Sequence, residues 1–168
     1  VFFFVYSSIF SGKPDNLEIF RYFRTNYFES IDSFYGQFFY LVESKYGKEL
    51  YKHKSNYNQL NYLNAFPFYT ENDKWFRYIR DQMLNHERYE KLMGDLMKLN
   101  NFKPETVHQE LWMSEDCIKD IASQGHLIGL HSYSHPMQMS KLNYDEQYKE
   151  YQCNSSHLES LVGDVVSM

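Results

Sequence analysis

The chain has 168 residues, of which 43% are hydrophobic and 19% aromatic, and a formal net charge of −5. That length and apolar content suit a folded domain with a substantial core and exclude an intrinsically disordered chain. The acidic balance leaves no electrostatic footprint for nucleic acid, and no apolar run reaches the roughly 20 residues that a membrane-spanning helix needs.

Residues 1–6, VFFFVY, are a continuous β-branched and aromatic run, which predicts a fully buried strand of a parallel sheet. The run is too short for a secretory signal peptide and lacks its basic flank. SSIFSGKPDN reads as a loop on its Gly, Pro, Asp and Asn. Leu17, Ile19, Phe20 and Phe23 then recur at helical spacing, and a second helix is predicted over 33–46 with Gly47 at its C′ position. Residues 48–68, rich in Asn and Tyr, show no clear period. Thr70 to Asp73 has the form of a capping box, with Asp in place of Glu, ahead of the amphipathic WFRYIRDQML. Residues 87–99 continue helically.

Ser114 is the N-cap of the next predicted helix, which runs through Ile118 and Ile121 and closes at Gly125. Residues 127–130 follow as a strand. Asn143 to Glu146 opens another capping-box helix, which reaches about Val162 and closes at Gly163, and DVVSM reads as a third strand. Strand, long helical region, strand, helix, strand is an α/β order, but the first connection is far too long for a simple crossover. The expected organisation is therefore a first strand and loop over 1–11, a helical insertion or lid over 12–110, and an α/β segment over 111–168. The chain opens at Val1 and closes at Met168 inside runs read as strands, which would leave open edges. An internal piece of a longer protein is the expectation.

Within 111–168, GHLIGLHSYSHP places His131 and His135 four residues apart just beyond the strand. Neutral imidazole is a common ligand for zinc and related divalent ions, and strand C-terminal ends are where α/β folds carry their chemistry. Spacing alone leaves two readings, a metal-ligand pair or two solvated loop residues. Ser132 stands where a zinc-protease motif would have its Glu base, which excludes that motif; its hydroxyl suits a bond to the turn backbone. Cys117 and Cys153 are far apart and match no metal or redox spacing, so they read as two small buried thiols, compatible with a reducing compartment. Asn154-Ser-Ser156 is a glycosylation sequon within a predicted helix. His53, His86, His108 and His157 read as isolated surface residues, Lys141 and Lys149 as solvated charges. The aromatic residues of 12–110 fall at helical spacing, which favours a core over a sugar platform.

The stretch GHLIGLHSYSHP resembles the His-Ser/Thr-x-x-His motif of the polysaccharide deacetylases, carbohydrate esterases with a NodB-homology domain. Gly125, His126, Ile128, Gly129, His131, Ser132, His135 and Pro136 match it. Leu142, Glu150, Asn154, Leu158, Glu159 and Gly163 resemble the helix that follows in that family, and VFFFV resembles one of its strands. The resemblance spans 1–6 and 111–168. It implies part of a distorted (β/α) barrel interrupted by the insertion. It also implies hydrolysis of N-acetyl or O-acetyl groups on an acetylated sugar or polysaccharide, with a divalent ion, zinc, as cofactor. His131 and His135 would be metal ligands, Ser132 a supporting residue and His126 structural. The family's Thr-Phe-Asp-Asp-Gly motif, source of the base and a third ligand, has no counterpart here, since no Asp-Asp pair occurs. No catalytic acid or base is therefore assigned within this chain, which by itself is expected to be inactive. The alternative is a non-catalytic carbohydrate-binding or assembly module that keeps the barrel.

Overall fold

The computed structural model describes residues 1–136 and 138–167, the side chain of Gln109 excepted. The chain divides into two compact units, one formed by Val1–Asp15 with Thr106–Met168, the other by Asn16–Glu105.

The first unit contains strand β1 (Phe2–Val5), strand β2 (Leu127–Leu130) and two of the six α-helices among the described residues, which in chain order are α5 (Glu115–Ser123) and α6 (Tyr144–Val162). β1 and β2 pair in parallel, with Phe2 opposite Leu127 and Val5 opposite Leu130. Gly129 faces Phe4, whose ring lies where a β-carbon on residue 129 would sit, 2.6 Å away. Glycine at 129 is thus what lets that ring lie flat on the strand. The core of the unit is Val5, Ile118, Ile128 and Leu158, flanked by Phe10, Met113, Ile121 and Leu161.

The local signals for these elements hold. Ser114 caps α5 by accepting the Cys117 N–H at 3.2 Å, and Gly125 beyond it has φ +81°. Asn143 and Glu146 make a reciprocal capping box at the start of α6, and Gly163 ends that helix with φ +82°.

Three expectations need correction. The two thiols are not buried: Cys117, on α5, is exposed, and Cys153, on α6, is half-buried. β1 is not a fully buried strand: Phe2, Phe3 and Phe4 are 58%, 36% and 39% exposed, and only Val5 faces the core. Among the described residues β1 has a single strand neighbour, and α6 packs at the Val5 end, so the opposite face stays uncovered. DVVSM is not a strand but one parallel bridge, Val166 to Gly129, with the Val166 N–H on the Ile128 carbonyl at 2.9 Å. Asp164 and Val165 lead out of α6, and Val165 turns into the core instead of pairing; Met168 lies outside the described residues. Among the described residues the sheet is this small parallel pair in a helix-rich chain, and no closed barrel is seen.

The second unit is helical: α1 (Asn16–Tyr22), α2 (Ile31–Tyr57), α3 (Glu71–Tyr78) and α4 (His86–Leu99), with wide π-type turns over Phe23–Tyr27 and Ile79–Met83. Its aromatic residues form the core, with Phe23, Phe34, Phe38 and Phe76 all at most 1% exposed. The predicted helix end at Gly47 is present as a kink. α2 begins at the Ser30 N-cap, leaves helical geometry at Tyr46 (φ −133°, ψ 23°), and a second helical stretch, which the sequence did not show, resumes at once and runs to Tyr57. The far half is tied to α4, since Arg88 lies over the Tyr46 ring at 4.3 Å and grips Glu49 at 2.6 and 3.0 Å. These contacts hold the stretch beyond the kink against α4.

The Thr70 capping box is present and extends further than the motif alone suggests. The Asp73 N–H donates to the Thr70 hydroxyl oxygen at 3.1 Å, the Thr70 N–H and O–H donate to Asp73 Oδ2 at 3.0 and 2.8 Å, and the Tyr35 hydroxyl donates to Oδ1. Burial opposes ionisation of Asp73, but the bonds from Tyr35 and Thr70 outweigh it and hold the carboxyl below its ordinary range. A depressed folded pKa means stability that is present above the unfolded value of about 4 and is lost as pH falls through the folded value. Asp73→Asn is therefore expected to flatten the acid-side decline in stability below about pH 4, read from urea melts at several pH values. An unchanged acid slope would assign that titration to another group.

Candidate metal-binding loop

His131 follows directly on Leu130, the last residue of β2. The loop 131–136 is held almost entirely through its backbone. The His131 N–H donates to Asn154 Oδ1 at 2.9 Å. The Tyr133 and Ser134 N–H groups both donate to Glu150 Oε2, at 2.9 and 2.7 Å, and the Ser134 hydroxyl donates to Oε1 at 2.7 Å. The Ser8 N–H donates to the Tyr133 carbonyl at 2.9 Å. Asn154 and Glu150 lie one turn apart on α6, so a single helix face carries both clamps.

Ser132, 3% exposed, accepts the His135 N–H on its hydroxyl at 3.1 Å. Ser132 and His135 themselves sit in the left-handed region, at φ +68° and +57°. Such backbone is uncommon for residues with a β-carbon and persists where surrounding bonds over-determine it. The expectation that Ser132 fixes the turn is met by this bond.

The loop brings the two imidazoles together, with ring centroids 5.1 Å apart. The His135 ring also stacks on Tyr6, at 4.7 Å and 13° between planes. Burial, followed by the neighbouring His135, lowers the pKa of His131 and favours the neutral form that ligates metals. His135 Nδ1 is buried and has no hydrogen-bond partner among the described residues. The buried, partnerless ring nitrogen of His135 beside the His131 imidazole fits a divalent ion as two ligands of a set. Among the described residues no third His, Cys, Asp or Glu joins them.

A groove of about 560 Å³ opens beside the loop, lined by Tyr133, Leu142, Glu146, Lys149, Glu150 and Cys153. His126 stands just ahead of β2 with its ring edge-on to Phe3, at 5.4 Å, which suits a structural role. His157 is not an isolated surface residue. Its ring meets Phe10 edge-on at 5.5 Å, its Nε2 lies 3.7 Å from Glu115, and its Nδ1 is buried. In the helical unit, His53 likewise leans on Tyr78, with Nδ1 3.3 Å from the hydroxyl. Asn154 is fully buried, so the sequon is closed to a glycosylating enzyme in the folded chain. The structural part that Asn154 plays has no local signal in the sequence because its partners are remote: Val5 and Ser7 lie 149 and 147 positions away.

A family model described as polysaccharide deacetylase matches residues 79–168, a span that begins inside the helical unit and includes the whole loop. No curated protein and no solved structure matches the chain.

Proposed function

The chain belongs to the polysaccharide deacetylase family, and from that premise we propose that it is a segment of a metal-dependent carbohydrate deacetylase. In this reading His131 and His135 are two ligands of a divalent ion, zinc, and the reaction is hydrolysis of N-acetyl or O-acetyl groups on a sugar or polysaccharide. The observation that carries it is the pairing of two imidazoles at the end of β2, His131 exposed and His135 half-buried, with the His135 Nδ1 buried and unpartnered among the described residues.

When bound, such an ion supplies Lewis-acid chemistry, polarising an acetyl carbonyl and making water acidic. The residues of this chain hold and orient. His131 offers a neutral imidazole, Ser132 and Tyr6 fix His135, and Glu150 keeps the intervening turn in register. The exposed Tyr133 face, with Glu146 and Lys149 nearby, suits stacking and hydrogen bonding to a sugar ring. Two imidazoles fall short of the three protein ligands of a catalytic zinc centre, so the remaining ligand and the proton-transfer groups are assigned to a segment outside the described residues. The unit Asn16–Glu105 is then an insertion or lid attached to a NodB-type barrel.

The test is acetate release from an N-acetylated oligosaccharide by the full-length protein that contains this chain. Removal of metal with a chelator is expected to abolish release, and added zinc to restore it. Release that survives complete metal removal would sink the metal reading. A second reading, a non-catalytic carbohydrate-binding module, is favoured by the lack of an acidic partner for the histidines among the described residues. Retention on immobilised oligosaccharide without acetate release under any metal would select it.

A further inference from the structure

Asn154, buried on α6, bonds to three separate parts of the first unit. Its Oδ1 accepts the His131 N–H at 2.9 Å, and its Nδ2 donates to the Val5 carbonyl at 3.1 Å and to the Ser7 hydroxyl at 2.9 Å. The side chain is 0% exposed, so water does not substitute for any of these bonds. The end of β1, the turn that follows it and the start of the histidine loop are thus joined at one amide.

The chemistry of the position is narrow. One face of the side chain must accept from an N–H while the other donates to a carbonyl. Asp supplies no donor when ionised, Leu supplies neither group, and Gln is a methylene longer in a packed site. The surrounding groups also settle which way the amide points, since a flip would set two carbonyl oxygens face to face. Packing is supplied separately on the same helix by Leu158, also 0% exposed and part of the core cluster.

We propose that Asn154 is the positioning residue of the metal site: it sets the backbone of His131, and through it the direction in which that imidazole is offered. This rests on the reading of His131 as a ligand. Partners behind a metal ligand contribute to affinity because they remove the freedom the ligand would otherwise lose on binding. Here the partner acts on the backbone of the ligand instead of its second ring nitrogen.

The experiment compares Asn154→Leu with Leu158→Ala, which damages the same helix without touching the loop. The first readout is amide hydrogen exchange of His131 relative to Leu130 in the same molecule; the Leu130 N–H is held by the Val166 carbonyl at 3.1 Å. General destabilisation raises both rates together. Asn154→Leu is expected to raise the His131-to-Leu130 ratio about tenfold or more, and Leu158→Ala to leave it unchanged. The second readout is zinc affinity of the full-length protein by competition with a chelating dye, expected to fall about 10- to 100-fold for Asn154→Leu only. If the leucine variant does not fold, Asn154→Ser, too short to bridge, is read in its place. An unchanged exchange ratio, or equal affinity losses in both variants, overturns the proposal. If His131→Ala leaves zinc binding intact, the ligand reading fails by itself, and the exchange ratio still decides whether Asn154 positions His131.

Discussion

Acetate release by the full-length protein is expected to fall at least about a hundredfold in His131→Ala and in His135→Ala. Loss of a group behind a metal ligand already lowers affinity or activity by about 10- to 100-fold, and loss of the ligand itself removes more. Stability should change little in the first case, because the backbone bond of His131 to Asn154 does not involve the imidazole. His135→Ala also removes the stacked ring from Tyr6, so a modest drop in melting temperature is expected there. A combined measurement of acetate release, bound zinc and melting temperature separates the two effects. Activity equal to wild type in His131→Ala would reject the ligand assignment however well the loop is formed.

Phe76→Ala is expected to destabilise the helical unit by about 3–5 kcal/mol, a large part of the 5–15 kcal/mol typical of a small domain. Phe76 is 1% exposed and touches rings on two other helices: Phe38 at 4.9 Å, Phe34 and Tyr35 at 5.6 Å, and Tyr89 at 6.4 Å. Two guanidinium groups also lie over it, Arg24 at 5.3 Å and Arg80 at 5.9 Å, so truncation leaves both without their aromatic face. The π-type turn Ile79–Met83 begins three residues later and brings Ile79 and Met83 into the same interior, leaving few mobile groups to collapse into the cavity. A urea melt followed by Trp75 fluorescence, in a Trp112→Phe background, would read the change. A loss below about 1 kcal/mol would mean that the ring cluster is not close-packed.

Signals that act within four residues are legible in the sequence. The Thr70 and Asn143 boxes, the Ser114 cap, the glycines at 125 and 163 and the limits of β2 all depend on the chain contacting itself nearby. The histidine pair is legible for the same reason, since the turn that joins the rings is only four residues long. Features that depend on distant partners are not. Gly47 marks the break at Tyr46, but the helical stretch that resumes beyond it leans on the remote Arg88. His157 has no motif around it, and its environment comes from Phe10 and Glu115. VFFFVY has the pattern of a strand covered on both faces, but coverage depends on what packs there, and Phe2 is 58% exposed.

The family, the α/β order around β2 and the two imidazoles proposed as ligands are all written in residue identity and short spacing. How the imidazoles are held is not, and follows from the folded arrangement. Only the Ser132 bond within the turn is foreshadowed locally; the Glu150 clamp and the buried Asn154 amide join groups 16 to 149 positions apart. A side chain such as Asn154 carries no sign in the sequence of which backbone groups it will satisfy. That choice is made only when burial removes water and each polar atom must find a partner within reach.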